Sequence, residues 1–400
     1  MTKKSMLLVL SRLPVPNTSG DTVKYYNLLK IFSKNYDVSL VVLSNFPPSL
    51  EAVNFLNLHC KSYRVFLKKK WKNYFNLPKA LFNGRPLQVQ YYYFSDVQKE
   101  IIRLSKDVDF VFSCLIRTSL YIEHLHLPKF CEFADSIADN YKRSARNTRS
   151  LFWKMIYLFE AHRLQLFEHR TVNILNRSIF VNPTEIKQFP SQKTLLLQNG
   201  VDSEYLQNCS FFTKEKKVSF LGSMNYQPNI DACLWFIDKC LPLIPEYIYF
   251  EIVGANPSKE LLNIASKNKR VIVTGFVSNP WERLICSLAV VAPMQTGAGI
   301  QNKVLQSLAL SQIVLATTLA TSPIVDAKHE TNLFICDLPQ DYAQTIRMIA
   351  DAPDAFRHVG KNARDLILKN YTWEKYEEKL ILQIENDLNS WNSLQDKRVI

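Results

Sequence analysis

The chain has 400 residues, of which 47% are hydrophobic and 21% are charged, and its formal net charge is +13. This length predicts two or three domains, and the apolar content excludes a wholly disordered chain. No stretch approaches the roughly 18 apolar residues that a membrane-spanning helix needs. The charge is compatible with nucleic acid, an anionic membrane surface or phosphate-bearing substrates, and does not choose between them.

The first half of the chain alternates between strand and helix patterns. The run Met6–Leu10 predicts a first strand rather than a signal peptide, because it is short and Pro14 and Pro16 follow it. The next predicted elements are a helix at Thr22–Ser33, strands at Val38–Leu43, Val108–Cys114 and Phe130–Phe133, a long helix at Leu151–Arg170 and a strand at Ser178–Val181. This order is typical of an α/β unit.

Glycine marks the strands of the second half. The chain has only nine glycines, about a third of the usual ~7%, so each is expected where backbone geometry requires it. Four follow short apolar runs that predict buried parallel strands, namely Val218–Leu221 before Gly222, Tyr249–Val253 before Gly254, Val271–Thr274 before Gly275 and Leu288–Pro293 before Gly297. Helical spacing at Ile230–Lys239, Ser258–Ser266 and Asn302–Leu310, with a strand at Ile313–Ala316, predicts a second doubly wound unit.

The boundary between the units falls near the turn dipeptide Asn199-Gly200. We therefore predict domains at 1–195 and 196–371, followed by a helical segment at 372–400. Thr372 can cap that helix, and apolar residues recur every four positions along it as far as Leu388. Two open parallel sheets that face each other are expected to bind ligands in a cleft between the domains.

Cysteine and histidine usage predicts a cytoplasmic protein without a metal site. The eight cysteines form no CxxC pair, which is typical of buried free thiols in a reducing compartment. His124 and His126 are the only closely spaced histidines, so zinc is not expected. The chain has neither a GxxxxGK[ST] loop nor GxGxxG after its first strand, which excludes a P-loop and disfavours a dinucleotide cofactor.

The strongest candidate site is the segment from Pro293 to Ala309. A predicted strand ends there, a loop with Gly297 and Gly299 follows, and a helix begins near Gln301. Free N–H groups at the helix start, together with the charge of Lys303, favour a phosphate or diphosphate. Gln306, one turn further on, could bind sugar hydroxyls. The alternative is an ordinary strand-to-helix turn with a surface lysine.

Acidic residues provide weaker candidates. Asp135 and Ser136 follow a predicted strand, where a carboxylate can act as a base or bind an acceptor hydroxyl; the alternative is a solvated loop acid. Gly20 and Asp21 open the first helix, and Asp21 either caps it or contacts substrate. Three further carboxylates are predicted to be mostly helix-surface charges, at Glu160, Glu168 and Glu185.

The segment from Lys68 to Phe75 mixes lysines with Trp71, Tyr74 and Phe75. Such a mixture suits an anionic membrane surface, because basic groups attract head groups while aromatic rings settle at the interface. It would also suit single-stranded nucleic acid, and the plain alternative is a solvated loop.

In order and spacing, these motifs resemble the GT-B-fold glycosyltransferases of the retaining family 4 type. The resemblance is closest to the sugar transferases associated with PEP-CTERM/exosortase-type exopolysaccharide loci, and it spans almost the whole chain. The motifs that carry it are Arg12–Pro16, Gly20–Lys24, Gly84–Pro86, Phe133–Ser136, Glu160 with Arg163, Asn199–Asp202, Phe220–Asn229, Ile252–Gly254, Val273–Val277 and Gly299–Leu305.

The resemblance implies two Rossmann-like domains, an acceptor in the first and a nucleotide-sugar donor in the second, with the last helix crossing back to the first domain. It implies no metal. It places Asp135 as the candidate catalytic residue and Gly20, Asp21 and Ser136 in the acceptor or cleft loops. The implied donor-binding residues are Gly222, Ser223, Asn225, Gly254, Phe276, Val277, Gly297, Gly299, Gln301, Asn302, Lys303 and Gln306.

Two departures from the family pattern concern the donor loop. Where many relatives have two glutamates, this chain has Ala298 and Gln306. An uncharged acceptor forms a weaker hydrogen bond, about 1 kcal/mol against 1.5–3 kcal/mol for a charged one. Basic residues that relatives carry near the first donor loop are also absent around Gly222–Pro228, so Lys303 is the main candidate for binding the diphosphate.

The sequence therefore predicts a cytoplasmic glycosyltransferase that can associate with the inner face of the membrane. The implied donor is a UDP- or GDP-sugar, and the acceptor is a lipid-linked or polysaccharide chain. Two alternatives of the same fold are a catalytically degenerate binding partner, which Ala298 and Gln306 favour, and a nucleotide-sugar epimerase. A nucleic-acid-binding protein ranks last, because no dedicated motif is present.

Overall fold

The computed structural model describes residues 3–17, 20–148, 150–206, 214–297 and 299–396. Ala298 and Cys209 lie outside the described residues. Internal contacts divide the chain into two compact units: unit 1 comprises Met1–Leu197 and Glu377–Ile400, and unit 2 comprises Gln198–Tyr376.

Unit 1 is built on a seven-stranded parallel sheet in the order β3-β2-β1-β4-β5-β6-β7. Its strands are β1 Ser5–Leu10, β2 Asp37–Ser44, β3 Ser62–Leu67, β4 Phe110–Cys114, β5 Lys129–Ala134, β6 Arg177–Phe180 and β7 Thr194–Leu196. Its helices are α1 Gly20–Asn35, α2 Leu50–His59, α3 Lys70–Asn76, α4 Lys79–Asn83, α5 Leu87–Tyr91, α6 Ser95–Leu104, α7 Ile116–Ser119, α8 Ile137–Asn147 and α9 Leu151–Ile174.

Unit 2 is built on a six-stranded parallel sheet in the order β10-β9-β8-β11-β12-β13. Its strands are β8 Glu215–Leu221, β9 Tyr249–Val253, β10 Val271–Gly275, β11 Ser287–Ala292, β12 Val314–Ala316 and β13 Phe334–Ile335. Its helices are α10 Gln227–Trp235, α11 Lys259–Lys267, α12 Pro280–Ile285, α13 Asn302–Ala309, α14 Thr318–Thr321, α15 Pro339–Asp351 and α16 Arg357–Asn370, and a π-helical turn at Phe236–Cys240 continues α10.

The last helix, α17, runs from Trp373 to Asp396, and from Glu377 onward it belongs to unit 1. There it buries Leu380, Ile384 and Leu388. Asp387 forms an ion pair of 2.6 Å with Arg177, which begins β6. The apolar repeat of the last helix is thus buried within unit 1.

The predicted alternation of parallel strands and helices is confirmed in both units. The central strands β1, β4 and β11 are almost wholly buried, as expected where helices cover both faces of a parallel sheet. The prediction of a buried strand is wrong for β10, where Ile272 is 40% exposed. That strand forms one edge of its sheet. No helix among the described residues is both long and apolar enough to cross a membrane.

Each sheet has one point where the strand order reverses. In unit 1 it lies between β1 and β4, and in unit 2 between β8 and β11. Ligands of open α/β sheets bind beyond the carboxyl ends of the strands at such points. The loops after β8 and β11 are therefore the expected ligand-binding loops of unit 2.

Candidate functional site

The loop after β8 is held against the end of β9. Gly222 N–H donates to the carbonyl of Val253 at 3.0 Å, and Met224 N–H donates to that of Ala255 at 2.8 Å. Ser223 Oγ donates to Asn225 Oδ1 at 2.8 Å within the loop. These bonds hold a short, polar strand-to-helix connection at the reversal point.

Gly254 makes this close approach possible. A Cβ atom at this position would lie 1.8 Å from the carbonyl oxygen of Gly222 and 3.4 Å from the amide nitrogen of Ser223. No relaxation of a side chain can relieve an overlap with backbone atoms. The two predicted donor-loop segments can meet only because residue 254 has no side chain.

Replacing Gly254 with Ala is expected to destabilise unit 2 by about 1–3 kcal/mol, because the backbone of the β8 loop must move away. Thermal unfolding followed by calorimetry should show a midpoint lowered by several degrees. Gly20→Ala is the matched control, since its Cβ would meet nothing within 4 Å. Equal midpoints for the two variants would contradict the close approach.

Lys303 lies where the two loops of the reversal point meet. Its Nζ donates to Asn229 Oδ1 at 2.6 Å, and lies 3.4 Å from the sulfur of Met294 and 5.0 Å from the ring centroid of Phe220. Asn229 in turn donates from Nδ2 to the carbonyl of Ser223 at 2.8 Å. One buried amide thus connects the ammonium group to the backbone of the β8 loop.

The environment of Lys303 leaves its charge uncompensated. Within the part of the chain that the structure describes, no carboxylate forms an ion pair with Lys303. Burial lowers the pKa of its ammonium group to about 8. A partly buried cation with only neutral partners is well suited to receive an anion. The alternative of an ordinary surface lysine is wrong.

The glycine loop after β11 adopts backbone conformations that favour glycine. Gly297 has φ +122° and Gly299 has φ +70°. A Cβ at Gly297 would lie 3.9 Å from the hydroxyl of Tyr226, so this loop lies beside the loop that follows β8. Gln301 then precedes α13, whose first N–H groups have no partner within the helix.

Not all predicted donor residues gather around Lys303. Asn302 Oδ1 accepts from Asn199 Nδ2 at 3.4 Å, and Gln306 is half-buried one turn further along α13. Phe276 is 79% exposed, and Val277 follows it, beyond the edge strand β10. Phe276 and Val277 therefore follow the edge strand of the sheet, and β9 lies between that strand and β8.

In unit 1, Asp135 directly follows β5, next to the reversal point. Its Oδ1 atom is buried and has no hydrogen-bond partner among the described residues. Burial, together with repulsion from Glu185, raises the pKa of its carboxyl group to about 7. The preceding residue, Ala134, has φ +60°, a conformation that non-glycine residues rarely adopt. Asp135 is therefore not a solvated loop acid.

The prediction of surface glutamates is wrong at all three positions, since Glu160, Glu168 and Glu185 are at most 4% exposed. Glu168 accepts bonds from Ser136 Oγ at 2.8 Å and from Ala138 N at 3.1 Å, so it stabilises the start of α8. Glu160 accepts from Leu87 N at 2.7 Å. Apart from Arg163 beside Glu160, the partners named here are distant in sequence, and the local pattern does not indicate them.

The remaining groups of unit 1 hold this region in place. Glu185 bonds to Ser136 N at 2.6 Å and to Arg143 at 2.7 Å. Lys24 Nζ lies 2.7 Å from Glu132 Oε1, a fully buried ion pair that connects α1 to β5.

The predicted acceptor loop opens α1. Asp21 forms an ion pair of 3.0 Å with Arg12, and its Oδ1 accepts from Thr22 N at 3.1 Å. Gly20 begins the helix. Ser136 is not part of this loop, because it is buried at the start of α8.

The sequence reasoning missed Asn229, although it lies only seven residues after Gly222. The available signal was a polar residue on the buried side of α10, next to Ile230 and Cys233. In the sequence, nothing marks that residue as the partner of Lys303, because 74 positions separate them.

Comparison with known proteins agrees with this description. Residues 215–351 match the family model described as glycosyl transferases group 1. That range includes β8, both loops of the reversal point and Lys303. No curated protein matches the chain in sequence.

Three solved structures are similar over nearly the whole chain. Anabaena HepE in complex with UDP has a TM-score of 0.68 and 12% identity, covering 96% of this chain and 100% of its own. TarM of S. aureus has a TM-score of 0.68 and 13% identity, covering 96% and 99%. Sucrose-phosphate synthase from Thermosynechococcus elongatus has a TM-score of 0.69 and 12% identity, covering 97% and 100%.

At these identities the likeness shows the fold. The chain has the GT-B fold, with two Rossmann-like α/β domains, as its sequence predicts. Together with the family match in unit 2, this supports a glycosyltransferase of the GT-B type.

Proposed function

We propose that the chain is a retaining hexosyltransferase of the family 4 type that builds a cell-surface polysaccharide or glycolipid. The donor is a UDP- or GDP-sugar, and unit 2 binds it. The observation that carries this proposal is Lys303, a partly buried cation with neutral partners between two glycine-containing loops. UDP and UDP-glucose in the HepE structures support the donor class.

In the proposed reaction, the bond between the anomeric carbon and the diphosphate oxygen breaks. The acceptor hydroxyl oxygen forms the new bond to that carbon, and Asp135 accepts the hydroxyl proton. The N–H groups at the start of α13 and the Lys303 ammonium stabilise the negative charge of the departing diphosphate. We propose that these groups replace a metal ion in that role.

The proposed acceptor is a lipid-linked or polysaccharide chain at the inner face of the membrane, and an origin in an exopolysaccharide locus is part of the same proposal. The segment from Lys68 to Phe75 supports it. This segment includes α3, where Trp71, Tyr74 and Phe75 are 55–72% exposed beside several lysines.

Titration calorimetry with UDP, GDP, ADP and CMP tests the donor site. We expect saturable binding of UDP or GDP, with an affinity that falls as the pH rises above about 8. The sign follows from the lysine, because only its protonated form attracts the diphosphate and burial lowers its pKa. Affinities should be compared at pH values above 7, because the nucleotide phosphates are fully ionised there and only the lysine changes its charge. Absence of binding to all four by the folded protein would contradict the proposal.

A further inference from the structure

Helix α9 is apolar on two faces. One face packs into unit 1, where Ala161, Leu164 and Val172 are buried. A second stripe is open to solvent, with residues spaced at i, i+4, i+7, i+8 and i+15, which share one side of a helix. Its members are 49–78% exposed, namely Leu151, Met155, Leu158, Phe159 and Leu166.

The first turn of α9 adds Phe152 to this stripe, whereas Trp153, two residues after Leu151, lies on the opposite side of the helix. Phe152 is 64% exposed and Trp153 is 50% exposed. Ser150 caps the helix, since its Oγ accepts from Trp153 N, and the Trp153 and Tyr157 rings stack at 6.1 Å. A helix that is apolar on both sides is expected to be covered on both, so the open stripe indicates a missing partner.

A basic cavity of about 330 Å³ lies between α8 and α9, along one side of the stripe. Its lining includes Lys142, Arg146, Lys154 and His162, and no carboxylate. Lys142 pairs with Asp139 at 3.1 Å, whereas the other three form no ion pair with the described residues. Leu158 lines the cavity and also belongs to the exposed stripe, so the cationic and apolar surfaces are continuous.

The stripe also adjoins α4. Arg163 pairs with Glu160 at 2.7 Å, donates to the carbonyls of Ala80 and Arg85, and lies over the ring of Phe159. These contacts fix α4 against α9. Phe82 on α4 is 90% exposed, and it extends the apolar surface.

We propose that this surface of α8 and α9 docks unit 1 on an anionic phospholipid bilayer. The stripe and Phe152 enter the boundary between head groups and acyl chains, and the basic cavity binds lipid phosphates. A second copy of the chain fits less well, because an isologous contact would bring the two basic cavities together. This inference rests on the proposed function in one respect, namely that the acceptor of the sugar lies at a membrane.

Co-sedimentation with vesicles tests the proposal on the full chain. We expect binding to vesicles of phosphatidylcholine mixed equally with phosphatidylglycerol, and weak binding to phosphatidylcholine alone. Phe152→Ser combined with Met155→Ser should lower the partition coefficient at least about tenfold. Arg146→Gln combined with Lys154→Gln should lower it about 10- to 30-fold, with a loss that shrinks at high salt.

Two control pairs carry the same chemical changes on exposed positions elsewhere. Leu382→Ser with Leu394→Ser, and Lys239→Gln with Lys361→Gln, should bind vesicles like the unsubstituted protein. Nucleotide titration of every variant separates this inference from the donor proposal, since the two variant pairs on α8 and α9 should keep the nucleotide affinity of the parent. If a variant loses both vesicle binding and nucleotide binding, Phe152→Trp provides a second readout, because brominated lipid should quench the fluorescence of a tryptophan at the edge of the stripe.

Three results would overturn the proposal. The first is absence of binding to the anionic vesicles, and the second is vesicle binding that neither variant pair on α8 and α9 changes. The third is concentration-dependent self-association, measured by analytical ultracentrifugation, that Phe152→Ser with Met155→Ser abolishes while vesicle binding is absent.

Discussion

Lys303→Met is expected to weaken binding of the preferred nucleoside diphosphate by about 10- to 150-fold. This range corresponds to the 1.5–3 kcal/mol of a hydrogen bond to a charged group. The methionine keeps much of the apolar volume beside Phe220 and Met294 while it removes the charge. Titration calorimetry at pH 7 measures the difference directly.

Stability and pH dependence distinguish a binding role from a structural one. Burial lowers the pKa of Lys303, so the unfolded chain holds this proton more tightly than the folded chain. The resulting cost to stability is fully present below about pH 8 and disappears as the pH rises towards the ordinary lysine value. At pH 7, Lys303→Met removes this cost, which offsets the lost bond to Asn229.

We therefore expect little change in the thermal midpoint of this variant, and a nucleotide affinity that no longer falls above pH 8. Lys239→Met, at an exposed position, is the control and should bind like the parent. Unchanged affinity in Lys303→Met would remove this lysine from the site. A large fall in midpoint at pH 7 would assign it a structural role instead.

Asp135→Asn is expected to lower kcat/KM for sugar transfer about 10²- to 10⁴-fold, the usual contribution of a general base. Nucleotide affinity should not change, because the donor is assigned to unit 2. The assay measures release of nucleoside diphosphate from the matching nucleotide-sugar, with a membrane fraction as acceptor. Asp139→Asn is the control, since that carboxylate already pairs with Lys142 and Gln188.

The pH profile provides a second, independent test. The pKa of Asp135 is raised to about 7, so its basic form accumulates as the pH rises through 7, whereas Lys303 loses its proton above about 8. The parent should have a narrow optimum between these values, and Asp135→Asn should lose the acidic limb. A variant with normal kcat/KM and an unchanged acidic limb would show that Asp135 is not the base.

The stability of Asp135→Asn should move in the opposite direction to its activity. A raised carboxyl pKa means that the folded state is favoured at low pH, and that this contribution is lost as the pH rises from the ordinary aspartate value through 7. The asparagine variant should therefore have a higher thermal midpoint than the parent at pH 8, with a smaller gain at pH 5. A lower midpoint at pH 8 would indicate that the carboxylate supports the fold.

Much of unit 2 could be predicted because its glycines are few and three of them mark the ends of strands. Gly222, Gly254 and Gly275 stand at or just after the ends of β8, β9 and β10. Apolar runs predict central strands well because both faces are buried. The edge strand β3 alternates half-exposed and exposed residues, and this weaker pattern left it unpredicted.

Buried charge was the main feature that sequence patterns could not predict. Lys217 is 1% exposed on β8, where it pairs with Glu251 on the neighbouring strand at 3.1 Å. In the sequence it belongs to a polar run before the apolar residues of the strand. Its burial depends on pairing between strands that lie 34 residues apart. The contacts of Glu168 with Ser136 and Ala138 in unit 1 likewise join residues distant in sequence. The sequence therefore identifies candidate residues but does not predict which groups surround them in the fold.

The division of the chain has a consequence for the order in which it folds. Unit 1 is discontinuous, because residues 198–376 of unit 2 are inserted between its sheet and the end of α17. Tyr36 on the first part bonds to Glu385 at 2.9 Å, and Arg177 bonds to Asp387.

During synthesis, unit 2 therefore emerges complete while unit 1 still lacks its closing helix. The usual order, in which the N-terminal domain folds first, is reversed for the final step. Until α17 is made, the surface that receives Leu380, Ile384 and Leu388 remains exposed. Unit 2 must therefore be able to fold before unit 1 is complete.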